Sequence, residues 1–191
     1  ITDGWSVTVL YKKMAELYAL SLEGKLAEAQ PLPAYAHYRD HEKRLRETSA
    51  RAQVNTHWEQ KINSLPVAPK LYGLETTTGS GSDRNHVDLG SERSEKLRAL
   101  TQEPDLRAWT QDLSLFNLFA TVLMAYLHRV SGQQKLAIGT PAHNRIKPAY
   151  KETSGLFIEL FPVSTEVEEG ESFASLFQKV QSLPKWRVAL R

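Results

Sequence analysis

Asp3, Arg145, Glu159 and a handful of histidines are the residues of this chain whose types and settings suggest chemistry. Asp3 stands in "TDGWS" just ahead of an amphipathic stretch, so the spacing predicts a helix N-cap. A carboxylate there is stabilised by the helix dipole and the free amides, which depresses its pKa and makes it a weak base near neutrality. Capping, or holding a cation, suits it better than proton abstraction. Gly4 behind it permits close backbone approach. Arg145 lies in "GTPAHNR" directly after an apolar run, with Lys147 and Lys151 nearby. A basic loop of that kind meets a phosphate or a carboxylate, or else is simply solvated. Glu159 interrupts "LFIELFPV" and must face solvent, a cavity or a cationic partner, because burying it unpaired is costly. His37 and His41 are one helical turn apart, as zinc ligands often are, but "HYRDH" lacks the glutamate of H-E-x-x-H and no third ligand is evident. A solvated helix face accounts for them. His143 shares the basic loop with Arg145, and His128 falls late in an apolar helix, where an imidazole favours the C-terminal dipole.

Other chemistries are absent from the pattern. With no cysteine there is no disulfide, thiolate metal site or cysteine nucleophile, which fits a reducing cytoplasm. "GSGSDR" lacks the third glycine of a dinucleotide fingerprint, and neither a P-loop nor a G-x-S-x-G elbow occurs. A net charge of +2 argues against a dedicated nucleic-acid binder. No apolar run approaches the roughly 20 residues that span a bilayer, and the first residues lack a signal-peptide pattern.

The elements that must position these residues read as helices with a few strands, an α/β chain of 191 residues, 41% apolar and 24% charged. Val7, Leu10, Tyr11, Met14, Leu17 and Tyr18 recur at steps of three and four and predict one helix with an apolar stripe, ended by Gly24. A second helix is expected after Pro33, with Tyr35, Tyr38 and Leu45 inward, and a third carries Val54, Trp58 and Ile62. The Gly/Ser-rich stretch within 66–85 reads as a flexible connection between lobes. Beyond it come a short strand at 86–89, a helix over 91–102, a nearly all-round apolar and therefore buried helix over 114–130, a strand at 135–139, a polar loop over 140–155, a strand over 156–163 and a last helix over 171–180 capped by Ser172.

In order and spacing, several stretches resemble one family, the condensation domains of nonribosomal peptide synthetases in the chloramphenicol-acetyltransferase-like superfamily. "TDGWS" (2–6) resembles the end of the H-H-x-x-x-D-G-W-S signature. "YAHYRDHEKRL" (35–45) is similar to the Y-x-D-Y-A-x-W segment, with His37 where aspartate is usual and without the tryptophan. "HWEQKINSLP" (57–66) resembles the Y-W-x-x-x-L stretch, and residues 118–145 the long helix, strand and P-x-x-x-R run. "GLFIELFPV" (155–163) is similar to the G-x-F-V-N-T-L-P strand, with Glu159 at the asparagine position, and "SFASLFQKV" (172–180) to the helix that follows.

The resemblance implies a partial two-lobed fold, mostly the C-terminal lobe. Residues 1–66 would be terminal helices of the first lobe, 67–85 the connection and 86–191 an incomplete second lobe. It implies a cytoplasmic acyltransferase that joins a carrier-bound acyl or aminoacyl thioester to an acceptor amine. Carrier proteins and neighbouring synthetase domains would be its partners. The phosphopantetheine arm would arrive on the carrier, with no directly bound cofactor or metal, nucleic acid or membrane. Asp3 would be a structural motif aspartate paired with Arg145, Gly4 would line the substrate tunnel, and Trp5, His143 and Glu159 would touch substrate. The motif histidines would stand just before Ile1, so the 191 residues alone are expected to be inactive. A starter or stand-alone acyltransferase making an ester or amide, and a non-catalytic carrier-docking module, remain open. So does a binder of anionic ligands through Arg145, Lys147 and Lys151.

Overall fold

The computed structural model describes residues 2–48, 50–73 and 83–183. Among the described residues, seven α-helices and two strands follow in the order α1 (Gly4–Leu22), α2 (Ala36–Arg46), α3 (Ala50–Asn63), α4 (Gly90–Leu100), α5 (Gln111–Ser131), β1 (Lys135–Ala142), α6 (Pro148–Lys151), β2 (Glu159–Glu166) and α7 (Phe173–Ser182). Strands β1 and β2 pair as a two-stranded sheet. The described residues form two compact units. One takes up those of Ile1–Asn63 and Thr140–Phe161, the other those of Ser64–Gly139 and Pro162–Val188. Residues 140–161 therefore pack with the first helices, although they lie far along the stretch 86–191 that the sequence reading keeps together. Much of the expected 67–85 connection, residues 74–82, lies outside the described residues.

In the first unit, α1 is capped by Asp3, whose extended backbone lets its side chain accept the Ser6 N–H. Ser6 and Val9 are the buried residues of this helix. The predicted stripe is displaced from the covered face: Val7, Leu10, Tyr11, Met14 and Tyr18 are exposed. Periodicity fixes which residues share a face, but not what packs on it. On α2, Tyr38 is buried as expected, while Tyr35 and Leu45 sit at the surface. Tyr38, Tyr150 and Phe157 make the unit's aromatic core, with Tyr38 and Phe157 ring centroids 4.4 Å apart.

The second unit is built on α5 and α7. Ala120, Met124, Leu136, Val167, Leu176 and Val180 form one core cluster, and Leu106, Leu118 and Phe177 another. Thr110 caps α5 at its start, and Gly132 ends it in a left-handed conformation (φ 70°), with its N–H on the His128 carbonyl. Ser172 caps α7 as the sequence predicts. The expectation that α5 is buried all round fails. Phe116, Phe119, Val122, Leu123 and Tyr126 are exposed, so the helix has one packed face and one bare apolar face. By length and mean hydropathy α5 would also pass as a membrane span, a test the sequence reading regards as failed throughout the chain. Its Leu118, Ala120 and Met124 nonetheless pack in the core clusters, as in a core helix.

Three strand and loop expectations change. Residues 86–89 are irregular and exposed; alternation over four residues makes no strand without a neighbour to pair with. The polar stretch 140–155 is no open loop. It completes β1, forms α6, and buries Thr140, Ala142, Asn144, Arg145, Tyr150 and Thr153. Strand β2 starts at Glu159 rather than 156, because backbone groups at 155–157 are bonded to side chains of Asp3, Ser6 and Tyr35 instead of a strand.

Candidate active site

Arg145 is brought inward by its neighbours. β1 ends at Ala142, and Asn144 turns the chain through a left-handed conformation (φ 47°) that asparagine tolerates better than most residues. The Arg145 N–H donates to His143 Nδ1 at 3.1 Å. The guanidinium is 1% exposed, and a rigid fork of donors suits what surrounds it. Nη1 donates to the carbonyls of Tyr150 and Thr153 (2.7 Å for Thr153). Nη2 donates to Asp3 Oδ1 at 2.8 Å and Ser6 Oγ at 2.9 Å, with the Gly155 carbonyl at 3.4 Å. The Phe157 ring covers it, 4.0 Å from Cζ to centroid. Nε is buried with no partner among the described residues, as are both amide atoms of Asn144.

Asp3 answers with both oxygens. Oδ1 accepts from the Ser6 amide and hydroxyl, each at 2.8 Å, and from Arg145; Oδ2 accepts the Phe157 N–H at 3.1 Å. Burial by itself would raise the carboxyl pKa. The hydrogen bonds from Ser6, Phe157 and Arg145 outweigh it and lower the pKa to about 2. A carboxylate whose conjugate acid has a pKa of about 2 is too weak a base to accept a proton near neutrality. Through these bonds it ties the start of α1 to residues 145 and 157. The ion pair expected between Asp3 and Arg145 is thus present, at 2.8 Å, with both side chains buried.

Ser6, absent from the sequence-derived candidates, is fully buried at the middle of this network. Its hydroxyl accepts from Arg145 Nη2 and from the Gly155 N–H at 2.9 Å, and its one proton reaches either Asp3 Oδ1 or the Gly155 carbonyl, the latter at 2.7 Å. Gly155 was missed as well. A Cβ there would lie 2.1 Å from Tyr35 Cδ2, so no larger residue fits beside that ring. The only signal in the sequence was the closeness of Ser6 to the cap, at the third helical position; its remaining partners lie 139 and 149 positions away.

The other candidates are more open. Gly4 begins α1 with free space around it. Trp5 donates its indole N–H to the Lys151 carbonyl at 2.8 Å and stacks on His143, centroids 6.3 Å apart. It also borders a cavity of about 640 Å³ between α1 and the proline-rich turn, lined by Thr8, Lys12, Pro31, Pro33 and Lys151 among others. Glu159 is exposed at the head of β2, facing solvent, and makes no ion pair among the described residues. Among those residues no three metal-ligating side chains cluster, and His41 lies instead near the Tyr150 ring.

The family model "Condensation domain" matches residues 1–184. The chain belongs to the condensation-domain family. Its sequence is 28% identical over 188 residues to phosphinothricin tripeptide synthetase PhsC of Streptomyces viridochromogenes, covering 95% of this chain and 16% of that protein. It is 28% identical over 186 residues to cyclosporin synthetase simA of Tolypocladium inflatum, covering 95% of this chain and 1% of the synthetase. Among solved structures, the first condensation domain of the CDA synthetase superposes with a TM-score of 0.79 at 20% identity, over 94% of this chain and 39% of that one. The starter condensation domain of rhizomide synthetase RzmA does so with a TM-score of 0.67 at 16% identity, again over 94% and 39%. The fold is that of part of a condensation domain, and the chain spans well under half of the solved domains it matches.

Proposed function

We propose that this chain is the braced part of an acyl-transfer site, in a parent synthetase that forms an amide between a carrier-bound acyl or aminoacyl thioester and an acceptor amine. The single observation that supports this is the buried Asp3–Arg145 pair with Ser6 between them. A carboxylate at pKa about 2 is no base. It is, however, a stiff anchor for the D-G-W-S turn, and a histidine presented just ahead of that turn would inherit its fixed position. A histidine at that position would take the proton of the acceptor amine, or orient the amine, as its lone pair attacks the thioester carbonyl; the C–S bond then breaks and the carrier's pantetheine thiolate leaves with a proton. Carrier proteins deliver both substrates on phosphopantetheine arms. Trp5, His143 and Glu159 are the substrate-side candidates of this chain.

The test is single-turnover transfer by the parent protein between a carrier-bound acyl thioester and an amine acceptor. Amide product is expected from the parent, a roughly 100-fold slower reaction from Asp3→Asn through misplacement of the reacting groups, and none from residues 1–191 alone. Turnover by the 191 residues, or a parent that binds acylated carriers yet never transfers, overturns the reading; the latter outcome favours a docking module.

A further inference from the structure

The backbone of residues 155–157 is held from two directions, and only one of them is the Asp3–Arg145 pair. Ser6 Oγ accepts the Gly155 N–H at 2.9 Å, and its own proton reaches either the Gly155 carbonyl at 2.7 Å or Asp3 Oδ1. Asp3 takes the Phe157 N–H at 3.1 Å. The Leu156 carbonyl between them accepts from the Tyr35 hydroxyl at 2.5 Å. The Tyr35 ring lies against Gly155 so closely that a Cβ would meet three of its carbons within 2.8 Å, and it meets the Phe157 ring edge-on at 5.2 Å. Phe157 in turn covers the Arg145 guanidinium. Tyr35 is thus in contact with each of the three residues that receive the brace.

We propose that Tyr35 is a positioning residue for acyl transfer: its hydroxyl and ring set the path of residues 155–157, and through them the placement of the Asp3–Arg145 brace and of the segment that leads into Glu159. The inference rests on the acyl-transfer reading for its catalytic consequence, but the positioning itself is independent of it. Tyr35 itself touches no reacting group. Its effect passes through the backbone, where a shift of about 1 Å is enough to slow a reaction up to roughly 100-fold. Tyr35→Phe removes the hydroxyl and keeps the ring, so the variant folds wherever ring packing is what stability requires.

The experiment pairs hydrogen exchange with kinetics on the parent protein and its Tyr35→Phe and Ser6→Thr variants. For Tyr35→Phe the expected result is faster amide exchange confined to the segment around 155–157, an unchanged melting temperature, and a roughly 10- to 100-fold lower kcat with KM for the acceptor unchanged. Ser6→Thr keeps a hydroxyl at the first anchor and is expected to retain more rate than Ser6→Ala. Unchanged exchange at 155–157 in Tyr35→Phe overturns the proposal whatever the activity. So does faster exchange with a wild-type kcat, or a rate loss that merely tracks a lower melting temperature. A parent with no transfer activity sinks the functional reading instead, and the exchange data still decide whether Tyr35 holds the segment.

Discussion

Arg145 Nη2 lies 2.8 Å from Asp3 Oδ1, both groups shielded from water, and the two residues are 142 positions apart in the chain. A buried pair of this kind contributes little net stability over a hydrophobic pair, because desolvation offsets the attraction, yet losing one partner is expensive. What the pair supplies is position: it fixes the start of α1 against residues 145–157.

Asp3→Asn and Arg145→Met should each destabilise the protein by about 3–5 kcal/mol, and the double variant by clearly less than the sum. Urea midpoints of the three variants check this. Strictly additive losses would mean that the two groups do not act as a unit.

Acid should weaken the same brace. The folded carboxyl of Asp3 titrates at about 2 against an ordinary 3.8. Its contribution, about 2 kcal/mol, is therefore complete above pH 4 and is lost as pH falls toward 2. Asp3→Asn should flatten the pH dependence of stability across that window; an unchanged slope would assign it to other carboxylates.

Gly155→Ala should cost about 1–3 kcal/mol by forcing a methyl into the Tyr35 ring. Repeating it in a Tyr35→Ala background, where the ring is gone, should recover most of that loss. A penalty of the same size in both backgrounds would trace the effect to the backbone instead.

Ser172→Ala should remove the cap of α7, whose Oγ accepts the Ser175 N–H at 3.2 Å, at about 1 kcal/mol. This change lies in the other compact unit, so it should leave exchange at 155–157 as it was. Protection lost at both places would show the units unfolding together.

The elements legible in the sequence were those that local rules dictate. Asp3 and Ser172 announced themselves as caps, and α1, α5 and α7 as apolar repeats. The partnership of Asp3 with Arg145 came from family resemblance, since spacing alone left Arg145 between an anion site and a solvated loop. Composition misjudged 140–155, because Arg145 and Thr153 are polar residues made burial-competent by hydrogen bonds to carbonyls such as Tyr150 and Ala149. The exposed faces of α1 and α5 escaped for a different reason: a hydrophobic period says that a face wants cover, and gives no sign of whether cover is there.

The contact between Gly155 and Tyr35 also bears on descent. With no room for a methyl while the ring keeps its place, residues 35 and 155 are expected to vary together in related proteins. An aromatic at 35 commits 155 to glycine, and a lineage that trades the ring for something slimmer frees 155 to vary, so the two columns should change in step.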